Sequence, residues 1–86
     1  MNISTKYDIG QEVWCVTQDN SQKWVLVEDG NRKCCFEIDS IEVYGKSGEY
    51  IEYQIGIDGW GQVENDCFPT EAEAQAECDR RNNSEN

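Results

Sequence analysis

The segment FEIDSIEVY, residues 36–44, sets three carboxylates, Glu37, Asp39 and Glu42, among five apolar residues that favour strands. Acids at this density can serve as proton-transfer groups, as metal ligands, or as an array of negative charge. The first use is poorly supported. The chain has no histidine, which removes the commonest general base and every Ser-His or Cys-His arrangement. There is no G-x-G-x-x-G or Walker loop to cradle phosphate. Among 18 acids, no one pair stands out as an acid and its base. No enzyme activity is expected. Metal binding fares no better. Cys15, Cys34, Cys35, Cys67 and Cys78 show no C-x2-C spacing, and the adjacent Cys34 and Cys35 would point to opposite faces of a strand. The cysteines read as small core residues with one or two surface thiols. No cofactor or metal is expected.

The third use, a charge array, fits the composition. The 86 residues carry 18 acids against 7 bases, a net charge of −11. Residues 1–46 hold eight acids and five bases, whereas residues 47–79 hold nine acids and no base. Such a chain is repelled by nucleic acid and by anionic membranes, and it is drawn to basic surfaces. Alternate residues on a strand lie about 6.6 Å apart, on the order of the spacing between phosphates along one nucleic-acid strand. Glu37, Asp39 and Glu42 would form the heart of the array. Glu49 and Glu52, then Asp58, Glu64 and Asp66, would extend it, and Glu73 and Glu77 add an acidic line at helical spacing. An ordinary solvated face is the competing reading. A separate candidate is an aromatic groove for a peptide or a methylated lysine. Trp60, between Gly59 and Gly61, would be its exposed member beside Tyr44, Tyr50 and Tyr53, with Trp14 and Trp24 in the core.

These side chains need a scaffold. A first strand lies around Val13–Val16, and a second is KWVLVE, in which Trp24, Leu26 and Glu28 face opposite to Val25 and Val27. A hairpin signal sits at Asp29-Gly30. The third strand, from about Arg32 to Tyr44, changes phase: Phe36 and Ile38 share one parity, Ile41 and Val43 the other. A bulge or bend near Asp39-Ser40 would put all four inside and leave the acids outside. Glu49–Ile57 alternates with Ile51, Tyr53, Ile55 and Ile57 inward, and Trp60–Glu64 is a short last strand. CFPTEAEAQAECDRRN then predicts a helix with Thr70 as N-cap, Glu73 completing a capping box, and Arg80 and Arg81 at the negative end of the dipole. Ala72 and Ala76, and Ala74 and Cys78, form thin i,i+4 pairs, so the helix reads as a lid anchored by Phe68.

The expected fold is α+β, mainly β: a curled antiparallel sheet or SH3-like barrel of about five strands with one C-terminal helix. One domain spans 1–86, with the barrel over 6–66, the closing helix over 67–82 and a frayed tail over 83–86. Met1–Lys6 reads as a polar leader. No stretch is apolar enough to cross a membrane, no signal-peptide pattern is visible, and an odd number of cysteines does not suit a disulfide framework. A cytoplasmic protein is expected.

YDIGQEVW, FEIDSIEVY and CFPTEAEAQAECDRRN together resemble a group of small proteins from bacterial phages and mobile elements, which pair a V-W strand after an I-G step with a closing F-P-T-x-x-E-A helix. The resemblance spans most of the chain and implies fold and genomic setting, with a bacterial host cell as the compartment. Inhibitors of host defence nucleases, the anti-CRISPR type, are a recurrent class among such acidic proteins. The expectation is therefore a non-catalytic inhibitor that binds a basic host protein, a nucleic-acid-binding defence effector, in competition with DNA or RNA. It would bind neither nucleic acid nor membrane directly, and a homo-oligomer is compatible with the sequence. The alternatives are a small adaptor reading a peptide through Trp60, or a phage regulatory protein.

Overall fold

The computed structural model describes residues 4–56 and 60–84. The expected inward position of Ile57, the turn at Asp58-Gly59 and the site residue Asp58 lie outside the described residues. Strands form at Glu12–Gln18 (β1), Trp24–Leu26 (β2), Glu28–Asp29 (β3), Arg32–Lys33 (β4), Phe36–Tyr44 (β5), Tyr50–Ile55 (β6), Trp60–Val63 (β7) and Cys67–Phe68 (β8), followed by the helix Glu71–Asn83 (α1). The main sheet runs β2-β1-β5-β6-β7, and β8 also pairs with β1. All pairings are antiparallel. The sheet thus curls back on itself: β7 passes through a 3₁₀ turn, Glu64–Asp66, into β8, which lies against β1. This is the small, curled, mainly β architecture with one C-terminal helix that the strand pattern implies.

Two bulges produce the curl. In β5, Ile38 faces Ile55 but Ser40 faces Gln54, so Asp39 is the extra residue and the parity switches there. Ile38 is fully buried and Ile41 packs beside it, as the phase change requires. Val43, expected inside, is exposed because it lies beyond the core, next to the turn of the β5–β6 hairpin. In the second bulge, Gly10 donates to the Ile38 carbonyl while Ile38 donates to the Gln11 carbonyl, so two residues face one. Gly10 has φ +92°, a conformation that costs glycine nothing.

The barrel interior holds Val13, Cys15, Val27, Ile38, Tyr53, Ile55 and Cys67. Each buried valine or isoleucine among them contributes about 1.5–3 kcal/mol through burial. The buried Tyr53 hydroxyl is satisfied: it donates to Glu64 Oε2 at 2.5 Å and accepts from the Tyr7 amide at 3.2 Å. Glu64 also accepts from the Lys6 amide, and the Tyr7 hydroxyl donates to the Cys67 carbonyl. Lys6 and Tyr7 are therefore stitched to the barrel, where a polar leader was expected through Lys6.

The helix does not close the barrel mouth. It packs on β2, β1 and β8 and builds a second cluster of Val16, Leu26, Ala74 and Cys78, flanked by Trp14, Trp24 and Phe68. Val16 and Leu26 are cross-strand partners, and Val16 lies on the β1 face opposite Val13 and Cys15. Of the two alanine-containing pairs, only Ala74 and Cys78 are buried. Thr70 caps the helix, accepting from the Glu73 amide at 3.2 Å, and its hydroxyl donates to the Glu73 carboxylate. Helix residues begin at Glu71 because Cys67 and Phe68 are held in strand pairing with β1. The helix also blunts an edge of the sheet. The Asn82 carboxamide accepts from the Trp24 amide at 2.8 Å and donates to its carbonyl at 3.1 Å, taking the place of a neighbouring strand.

Cys15 and Cys67 face each other across β1 and β8 with sulfurs 3.7 Å apart, both buried. The hydrogen bond with Cys15 and burial hold the Cys67 thiol far above its ordinary pKa. Burial also raises Cys78. Because alkylation needs an accessible thiolate, the half-buried Cys34 and Cys35 should be alkylated under native conditions, Cys35 more slowly because burial and the neighbouring Glu12 carboxylate raise its pKa. Cys15, Cys67 and Cys78 should react only as fast as the protein opens. Maleimide labelling followed by peptide mass analysis checks this, and equal labelling of all five would contradict the packing.

Candidate functional site: the outer face of β5 and β6

Alternation assigns the faces. Ile38, Ile41, Tyr53 and Ile55 pack in the barrel core, so Glu37, Glu42 and Glu52 project from the other side. Their partners in the ladder sharpen the picture. Glu42 stands directly opposite Glu52, and Glu37 directly opposite Glu12. Directly opposed like charges destabilise a sheet, yet this sheet contains two such pairs on one face. Asp39 is exposed at the bulge between them. The helix covers the same outer face at β1, β2 and β8, leaving the β5–β6 part bare.

Among the described residues, no cation forms an ion pair with these acids. The ion pairs among the described residues all involve Arg80 or Arg81, with Glu77 and Asp66 as partners. On the sheet face the carboxylates have neutral neighbours instead. Glu52 Oε1 accepts from Gln54 Nε2 at 2.7 Å and lies across Gly61, where a Cβ would stand 2.6 Å from that oxygen. Glycine makes this close approach possible. Glu42 accepts from the Tyr44 hydroxyl, and the Tyr44 ring meets Tyr50 edge-on at 6.0 Å. The hydrogen bond to Glu42 pushes the Tyr44 hydroxyl up to about 12. Ultraviolet or NMR titration should find Tyr44 ionising near that value, and Glu42→Gln should bring it back toward 10. An unchanged titration in the variant would place the Glu42 carboxylate elsewhere.

The structure divides the residues singled out by sequence. Glu37, Asp39, Glu42 and Glu52 share one region, and Glu12 joins them. Glu49 accepts from the Ser47 amide in the hairpin turn at the far end of the same strands. Glu64 and Asp66 do not join the array: Glu64 is bound to Tyr53 and Lys6, and Asp66 is neutralised by Arg81 Nη1 at 2.9 Å. Glu77, likewise, is matched by Arg80 and by Arg81 Nε at 2.7 Å. Trp60 is exposed but stands opposite Ile55, and so on the inner-face side of the sheet. Its expected tyrosine neighbours are elsewhere, with Tyr53 in the core and Tyr44 and Tyr50 at the hairpin end.

Glu12 was missed because its membership depends on the β1–β5 register, which no local pattern encodes. Among the described residues, no group of three or more Cys, Asp or Glu side chains converges as metal ligands, and no helix is long and apolar enough to cross a membrane. No protein-family model, curated protein or solved structure matches the chain.

Proposed function

We propose that the protein is a non-catalytic inhibitor that docks the acidic outer face of β5 and β6 onto the nucleic-acid-binding surface of a basic host protein, a CRISPR-type defence nuclease. The observation that carries this reading is the pair of directly opposed like-charged positions, Glu12 with Glu37 and Glu42 with Glu52, on a face where no ion pair forms among the described residues, while Arg80 and Arg81 serve the helix. Repulsion of this kind lowers stability and would be relieved by any cation opposite, so its presence fits a surface completed by a partner. The phage setting rests on the sequence resemblance. Inhibition would be steric and electrostatic: the carboxylates occupy lysines and arginines that otherwise hold phosphates.

The test uses purified, guide-loaded CRISPR nucleases and a fluorescent DNA target. Competition predicts that the inhibitor concentration for half-maximal effect rises with DNA concentration and rises steeply between about 50 and about 200 mM salt, as charge-driven association requires. Inhibition indifferent to DNA and to salt would remove the mechanism.

A further inference from the structure

Two adjoining cavities flank the β3–β4 hairpin, of about 440 Å³ and about 360 Å³, and both are walled by Trp60 and Glu28. The first runs along Val25 and Val27, and the second along Phe36 and Ile55. Together they make an apolar trough with one large aromatic wall. Trp60 is 46% exposed, whereas Trp14 and Trp24 are packed against the helix cluster. An exposed indole at the meeting point of two apolar cavities is a surface prepared for contact.

The rim decides what kind of contact. Asp19 and Glu28 border the first cavity, and Glu28, Asp29 and Glu37 the second, against a single cation, Lys33. Lys33 and Arg32 stand opposite Glu28 and Asp29 in the hairpin, but neither closes an ion pair among the described residues. A long side chain with an apolar stem and a cationic head matches each part of this trough. Its methylenes would lie on Val25, Val27 and Phe36, its charge against the face of Trp60, and its N–H groups toward the rim carboxylates. A neutral or acidic segment would leave those carboxylates desolvated without partners, which is costly.

We infer that this trough binds a lysine or arginine side chain from an extended basic segment of the partner protein, with Trp60 as the anchor. The inference deepens the proposed function, resting on the same basic partner, but it concerns a different part of the molecule and fails separately. Glu37 borders both regions and would join them into one footprint. An acidic face steers the encounter with a basic surface; an aromatic slot of fixed position anchors one side chain of that surface.

A capped tetralysine peptide, with capped tetraglutamate as control, tests this by NMR and calorimetry at low salt. Tetralysine should shift the Trp60 indole N–H. Trp60→Ala should weaken binding at least about tenfold, the upper part of the range for a desolvated cation–π contact, while Trp60→Phe retains most of it. Glu42→Lys/Glu52→Lys, which leaves the trough intact, should still show the Trp60 shift. The inference is overturned if tetralysine does not bind, if tetraglutamate binds as well, or if shifts fall on β5 and β6 with the Trp60 indole unmoved and Trp60→Ala unaffected. A Trp60 shift in a protein whose outer-face reversal leaves nuclease inhibition untouched would keep the trough and discard the acidic face.

Discussion

Reversing Glu37, Asp39 and Glu42 together to lysine is expected to weaken inhibition of the nuclease at least about 100-fold, because each substitution turns an attraction into a like-charge contact and such contacts cost several kcal/mol. The same variant should be as stable as the parent or slightly more so. Lys at 37 would face Glu12 and Lys at 42 would face Glu52, and replacing an opposed like pair by an opposite pair gains about 0.2–1 kcal/mol per pair. All three residues are exposed, so no core packing is disturbed. The combination is diagnostic. Lost inhibition with an unchanged or raised Tm marks a face maintained for binding. Lost inhibition with a collapsed Tm would mean that the carboxylates hold the fold together, and retained inhibition would mean that the partner docks elsewhere.

Outside the apolar core, a large effect on stability is expected at Arg81, where Arg81→Ala should cost about 2–3 kcal/mol, the sum expected for partly buried charge-assisted bonds and a cation–π contact. One guanidinium holds four groups. It donates to Glu77 and Asp66, reaches the Asn65 carbonyl with Nη2 at 3.1 Å, and its Cζ lies 4.4 Å from the centroid of the Trp24 ring. It thereby ties the last turns of α1 to the 3₁₀ turn and to β2, across a helix interface whose buried helix side chains are only Ala74 and Cys78. Chemical denaturation should show the loss. Asp66 would then be left without its cation, and Asn82, one residue on, would hold Trp24 less firmly.

Acid should act through the same cluster. Hydrogen bonds from Arg80 and Arg81 hold the Glu77 carboxyl down at about 2. Because the folded value lies below the unfolded one, near 4.5, Glu77 contributes stability that is fully present above about pH 4.5 and is lost as pH falls toward 2. The contribution is on the order of 1 kcal/mol once solvent screening at this half-buried site is allowed for. Glu77→Gln should flatten that part of the stability–pH curve, and a variant as acid-sensitive as the parent would assign the loss to other carboxylates.

What the sequence makes legible is what short-range pattern encodes. The parity switch between Ile38 and Ile41 foretells the bulge at Asp39, and the T-x-x-E motif foretells the Thr70 cap, since each depends on neighbours within a few positions. The opposed pair Glu12 and Glu37 is invisible because it follows from pairing strands 25 positions apart. The same limit hides the roles of Glu64 and Asp66: in the sequence they look like two more acids in a base-free run, whereas folding brings Tyr53 to one and Arg81 to the other. Trp60 is correctly picked out as exposed, but its neighbours come from β2, the β3–β4 hairpin and β5, and only tertiary packing supplies their acidic rim. The helix likewise signals its own start and charge gradient, but not that it covers the outer face of β1 and β2 and so confines the bare acids to β5 and β6.

Carboxylate footprinting of the complex tests the central claim most directly. Carbodiimide-mediated labelling of the protein, free and bound to a guide-loaded nuclease that it inhibits, should show Glu12, Glu37, Asp39, Glu42 and Glu52 losing reactivity on binding while Glu71, Glu73 and Asp79 on the helix are unchanged. Protection confined to the helix carboxylates, or no protection on β5 and β6, would contradict the account.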